Sequence, residues 1–78
     1  MSLDDRLELI ADSREEGEAM YERVEEFCSM HHPEASIDIS RNKCSVFVKC
    51  KDVEEVCEDM IAHHVFNPHE VDYDVQFS

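Results

Sequence analysis

Nine side chains of this sequence have the chemistry of a metal ligand or a nucleophile: Cys28, Cys44, Cys50 and Cys57, with His31, His32, His63, His64 and His69. Structural zinc sites draw their ligands as close pairs, about two to four residues apart, from two chain segments. Cys28-Ser29-Met30-His31 is the Cys–His pair with that spacing, and His32 follows it directly. The other cysteines fall on apolar stripes, where a thiol behaves as a small hydrophobe. Spacing therefore favours core packing for the cysteines, and a small metal-binding module at Cys28, His31 and His32 is kept as a further alternative. No cofactor is expected. The histidines have a plain role as well, because a histidine in the last turn of a helix interacts favourably with its negative end.

A nucleophilic thiol needs a lowered pKa and a base within reach. Cys50, flanked by Lys49 and Lys51 just before a helix, comes nearest to that setting. The chain has one glycine, so it offers no glycine-rich turn for an oxyanion hole or a phosphate cradle. No catalytic residue is assigned, and the chain is read as a non-enzyme.

The carboxylates carry the stronger signal. Glu54 with Glu58, and Glu55 with Asp59, are like-charge pairs four residues apart, and Glu18, Glu22 and Glu26 repeat the pattern elsewhere. Each such pair costs a helix about 0.2–0.5 kcal/mol, where a lysine partner stabilises by a similar amount. Carboxylates at that interval lie ~6 Å apart along a helix, a spacing coarsely comparable to phosphates on a strand.

These residues must be positioned by a small set of elements. Ser2 reads as the cap of a helix starting at Leu3, with Asp4 and Asp5 in its first turn and Leu3, Leu7 and Ile10 on one face. The stripe resumes with Met20, Tyr21, Val24, Phe27 and Cys28, and Pro33 ends it. Ser13 with Glu16 forms a capping box, so the stretch is either one long helix or a short one running into a longer one. Residues 36–40 and 43–50 alternate with period two around a turn at Ser40-Arg41-Asn42-Lys43. Asp52 caps a second helix carrying Val53, Val56, Cys57, Met60, Ile61 and His64, and Asn67-Pro68 stops it. Residues 71–77 alternate again.

The expected fold is thus an α+β two-layer sandwich of order α-β-β-α-β, with both helices on one face of a three-stranded antiparallel sheet whose first strand is central. Its inward set is Ile37, Ile39, Cys44, Val46, Val48, Cys50, Val71, Tyr73, Val75 and Phe77. The open face carries Asp38, Ser45, Phe47, Lys49, Asp72 and Asp74. In element order this resembles a ferredoxin-like plait lacking its first strand, and the resemblance carries no functional residues.

Seventy-eight residues form a single domain, 1–78, too small to combine a full core with a deep cleft. Twenty acidic against seven basic residues give a net charge of −13, with −7 in residues 1–30 and −6 in residues 31–78. That balance argues against direct binding to nucleic acid or to an anionic membrane, since both require Lys and Arg to neutralise phosphates. No secretory signal or membrane span is expected from these residues, and cysteines without paired motif spacing fit a reducing compartment, so cytoplasm is expected, the host's if the protein is viral.

In size and charge the chain is similar to small phage-encoded anti-CRISPR and anti-restriction inhibitors, a likeness of bulk properties without a shared motif. The expectation is an acidic binding protein that docks on a basic, nucleic-acid-handling protein surface and blocks it. Glu54, Glu55, Glu58, Asp59, Glu18, Glu22, Glu26, Phe47, Asp72 and Asp74 are its candidate contacts. The alternative is a homodimeric adaptor joined through the open sheet face at Phe47.

Overall fold

The computed structural model describes residues 5–77. The expected cap at Ser2 and the residues Leu3 and Asp4 lie outside the described residues. The described residues are α+β, with two helices and a four-stranded antiparallel sheet: β1 (Asp5–Ile10), α1 (Arg14–His31), β2 (Ser36–Ile39), β3 (Ser45–Cys50), α2 (Val53–Ala62) and β4 (Asp72–Gln76).

The first correction concerns β1, which the sequence suggests is helical. Leu and Glu are good helix formers and Leu7 and Ile10 fit a helical stripe, but the buried positions are Leu7 and Leu9, spaced by two. Ile10 is 40% exposed. Tertiary context decides the matter. The sheet order is β2-β3-β1-β4, so β1 fills the slot between β3 and β4. Those two strands run parallel in direction, as a helical crossover demands, and the slot requires an antiparallel strand. The hairpin's first strand, β2, lies at the edge instead of the centre. The order β-α-β-β-α-β is therefore that of the complete ferredoxin-like plait, first strand included.

Register fixes which side chains share a face. Leu7 lies opposite Val48 and Val75, and Leu9 opposite Val46 and Tyr73. Ile37 and Ile39 continue these two inward rows from β2. Val46, Val48 and Cys50 are buried as expected, whereas Tyr73 is 44% and Phe77 63% exposed. These two belong to the inward set by alternation but are not covered, because α2 lies over β1 and β3.

Ser13 caps α1 by accepting a hydrogen bond from the Glu16 amide at 3.2 Å. The buried residues Gly17, Met20, Val24, Phe27 and Cys28 form its inner face. Asp52 caps α2, its Oδ1 accepting from the Glu55 amide at 3.4 Å. Helix α2 stops at Ala62, earlier than the Asn67-Pro68 stop signal. His64 takes a left-handed φ of 58°. The amide of Val65 donates to Met60 O at 2.8 Å and that of His64 to Ile61 O at 3.1 Å. This is a Schellman turn with histidine where glycine is usual, and it tucks Val65 and Phe66 into the core.

A non-glycine residue in the left-handed region costs about 1–2 kcal/mol, partly offset by the greater chain entropy that glycine loses on folding. His64→Gly is therefore expected to stabilise the domain by about 1 kcal/mol, raising Tm by roughly 4–8 °C. His63→Gly, one position earlier and without a positive φ, should lower it. Thermal denaturation of the two variants checks the assignment of the turn.

Candidate partner-binding surface

The helix layer presents the acidic rows to solvent. Glu18, Glu22 and Glu26 on α1 are exposed, as are Glu54, Glu55 and Glu58 on α2, while Asp59 is half-buried. The inner stripes of both helices are apolar and consumed by the core, so every glutamate of these helices is left on an outer surface. Within each row the charges are not equivalent. Arg14 donates to Glu18 at 3.3 Å. Asp59 accepts from His32 Nε2 at 2.8 Å, and Glu34 lies 3.8 Å from the other ring nitrogen. Glu55 is drawn towards the helix cap, where its hydrogen bond with the Asp52 carboxylate, then the Asp52 charge, hold its pKa above the ordinary value. Glu22, Glu26, Glu54 and Glu58 have no cation at ion-pair distance among the described residues.

The antiparallel helices also assemble a ring cluster that sequence reasoning did not find. Phe27 stacks on His31 with centroids 4.6 Å apart, and His63 from the end of α2 lies 5.3 Å from Phe27 and 5.4 Å from His31. The signal was the pair of histidines closing each helix; what brings them together is the crossing of α1 over α2. His32 therefore ties α1 to α2 through Asp59, a role beyond capping.

The metal alternative finds no geometric support in the residues present. Cys28 points into the core, His31 lies on Phe27, and His32 turns to Asp59 and Glu34. Among the described residues no three His, Cys, Asp or Glu side chains converge on a common point. Cys28, Cys50 and Cys57 are buried and Cys44 half-buried, with no disulfide between them. Burial, then the neighbouring Cys50 and Glu34, pushes the Cys28 thiol up from 9.0 to about 11. Burial, then Glu58 and Glu54, raises Cys57 as well. Since the thiolate is the reactive form, a two-unit rise cuts its population about a hundredfold.

Native protein at pH 8 should accordingly be alkylated first at Cys44, with Cys28 and Cys57 reacting only on unfolding; mass spectrometry after timed iodoacetamide labelling reads this directly. The pH dependence has a definite sign. The folded-state pKa of Cys28 lies above its ordinary value, so its contribution to stability is intact below pH 9 and is lost as pH rises towards 11.

On the open sheet face, Asp38, Phe47, Glu8 and Asp74 form one cross-strand row, and Ser36, Lys49, Arg6 and Gln76 the next. Phe47 points away from the core as expected but is half-buried, with the Arg6 guanidinium carbon 5.2 Å from its ring centroid. Arg6 is held there by two hydrogen bonds to Gln76 Oε1. Asp72 and Asp74 on the same face are exposed. The structure thus separates the candidate residues into a helix layer and a sheet face on opposite sides of the domain.

Compared with known proteins, the chain matches no protein-family model and no curated protein sequence. Among the described residues no helix is long and apolar enough to cross a membrane.

Proposed function

We propose that this chain is a non-catalytic acidic binding module that docks its helix layer on a basic surface of a larger protein, of the kind that handles nucleic acid, and blocks it. The observation that carries the reading is the set Glu22, Glu26, Glu54 and Glu58: exposed, at helical spacing on both helices of one layer, and unanswered by cations among the described residues. Like charges four residues apart weaken each helix, and a basic partner supplies the compensation the domain itself does not. A negative field of this size also steers encounter with a positive surface. Asp59 and Glu18 belong to the same rows but are engaged internally, so they frame the docking face instead of forming it.

The homodimeric adaptor reading rests on Phe47. Arg6 already covers the ring of that residue, and two copies of a chain with net charge −13 repel. The helix-layer reading is preferred on those grounds. Its test is reversal of each exposed pair to lysine, read as partner affinity at two salt concentrations.

A further inference from the structure

The two edges of the sheet are built differently. At β2, the inward residues Ile37 and Ile39 are half-buried against the core and α1. At β4, the inward Tyr73, and Phe77 directly after the strand, stay 44% and 63% exposed, although Phe66 packs on Tyr73 in an edge-to-face pair with ring centroids 5.7 Å apart. On the other face of β4, Asp72 and Asp74 are exposed. The outer side of β4 pairs with no strand among the described residues. One edge thus combines unpaired backbone, uncovered aromatic side chains on one face and two carboxylates on the other.

We propose that this edge receives an extended segment of the basic partner as a fifth strand, with Lys or Arg at alternate positions facing Asp72 and Asp74 and apolar residues between them covering Tyr73, Val75 and Phe77. Strand addition of this kind takes affinity from main-chain hydrogen bonds and specificity from alternate side chains. Charge selects the occupant. A second copy laid antiparallel along β4, with its two-fold axis at Tyr73 or Asp74, sets carboxylate opposite carboxylate, an unfavourable cross-strand pair. Acidic residues on an edge strand guard against self-pairing, and the same residues favour a cationic strand. The inference rests on the reading that the partner is basic, but it uses a surface separate from the helix rows.

The experiment titrates isotope-labelled protein with two synthetic peptides of one composition: Lys-Val-Lys-Ile-Arg-Val-Lys, which alternates, and Lys-Lys-Lys-Arg-Val-Val-Ile, which does not. The alternating peptide should shift the amide resonances of β4 and slow their hydrogen exchange, binding about tenfold more tightly than the block peptide. The double variant Asp72→Lys/Asp74→Lys should weaken it about tenfold or more, with Asp72→Asn/Asp74→Asn intermediate and circular dichroism unchanged in both. Reversing Glu22, Glu26, Glu54 and Glu58 should leave that affinity within about threefold, since those charges lie on the opposite layer; failure of the helix-layer reading is thereby told apart from failure of this one. Equal binding of the two peptides, resonance shifts confined to the helices, an unaffected Asp72→Lys/Asp74→Lys variant, or self-association through β4 in sedimentation would each overturn it.

Discussion

Gly17→Ala is expected to destabilise the domain by about 2–3 kcal/mol, lowering Tm by roughly 10–20 °C. Gly17 is the sole glycine of the chain and sits in the first turns of α1, where its amide donates to Ser13 O at 3.0 Å. On an exposed helix, alanine there would stabilise by about 1 kcal/mol. Here a Cβ would lie 1.7 Å from the carbonyl oxygen of Lys43, 2.8 Å from its carbon and 3.2 Å from Cys44 Cα. All three are backbone atoms, so no side chain can swing aside.

The hairpin is held in place too. Ser40 donates to Ser45 O at 2.9 Å, Cys44 donates to Asn42 Oδ1 at 3.0 Å, and Ala11 donates to Cys44 O at 2.7 Å. Lys43 holds a left-handed φ of 65° within that turn. Helix α1 must therefore lift from the sheet to admit a methyl group, opening the contacts of Met20 and Val24 below it. Thermal denaturation decides the point: a rise in Tm of the size set by alanine's helix propensity would mean that α1 does not rest on the hairpin.

The second large effect is on binding. Reversing Glu22, Glu26, Glu54 and Glu58 together to lysine should weaken partner affinity about a hundredfold or more at low salt, mainly through slower association. Stability should change little, because the paired reversals keep like charges at 22/26 and 54/58 but relieve repulsion with the carboxylates that remain, while Glu54 gives up a favourable place at the positive end of α2. Asp59 is left unchanged, since a lysine at that position would face His32. Wild-type association should itself slow between about 0.1 and 1 M salt, as the screening length falls from roughly 10 Å to 3 Å. Reversing one helix at a time ranks the two rows. Small and equal losses from both would match general solvation of an acidic surface.

Much of this architecture was legible in the residues. Ser13 with Glu16, Asp52 with Glu55, the period-two run through Val46 and Val48, and the apolar stripe through Val56 and Met60 each specified an element by local chemistry alone. Leu7-Glu8-Leu9 did not, since its composition suits a helix and only the empty slot between β3 and β4 makes it a strand. The end of α2 was misplaced for a related reason: His64 carries no signal for a positive φ, a position normally marked by glycine or asparagine.

For the candidate surface, sequence spacing placed the acidic rows on the helices but could not show that Asp59 answers His32 or that Arg6 covers Phe47. Those pairs join residues distant in sequence, and only the packing of α1 against α2 and the β1–β3 register bring them together. The role of Gly17 was likewise hidden, because an interruption in an apolar stripe and a close backbone approach look the same in one dimension.

The most direct test of the docking proposal is capture from lysate of the source cells on immobilised protein, at low and at high salt, with wild type and the four-residue reversal side by side. The expected result is a basic protein retained by wild type at low salt, released by high salt, and absent from the reversed variant, whose fold is confirmed by circular dichroism. Capture of the same protein by both forms, undiminished by salt, would contradict docking through the acidic helix layer.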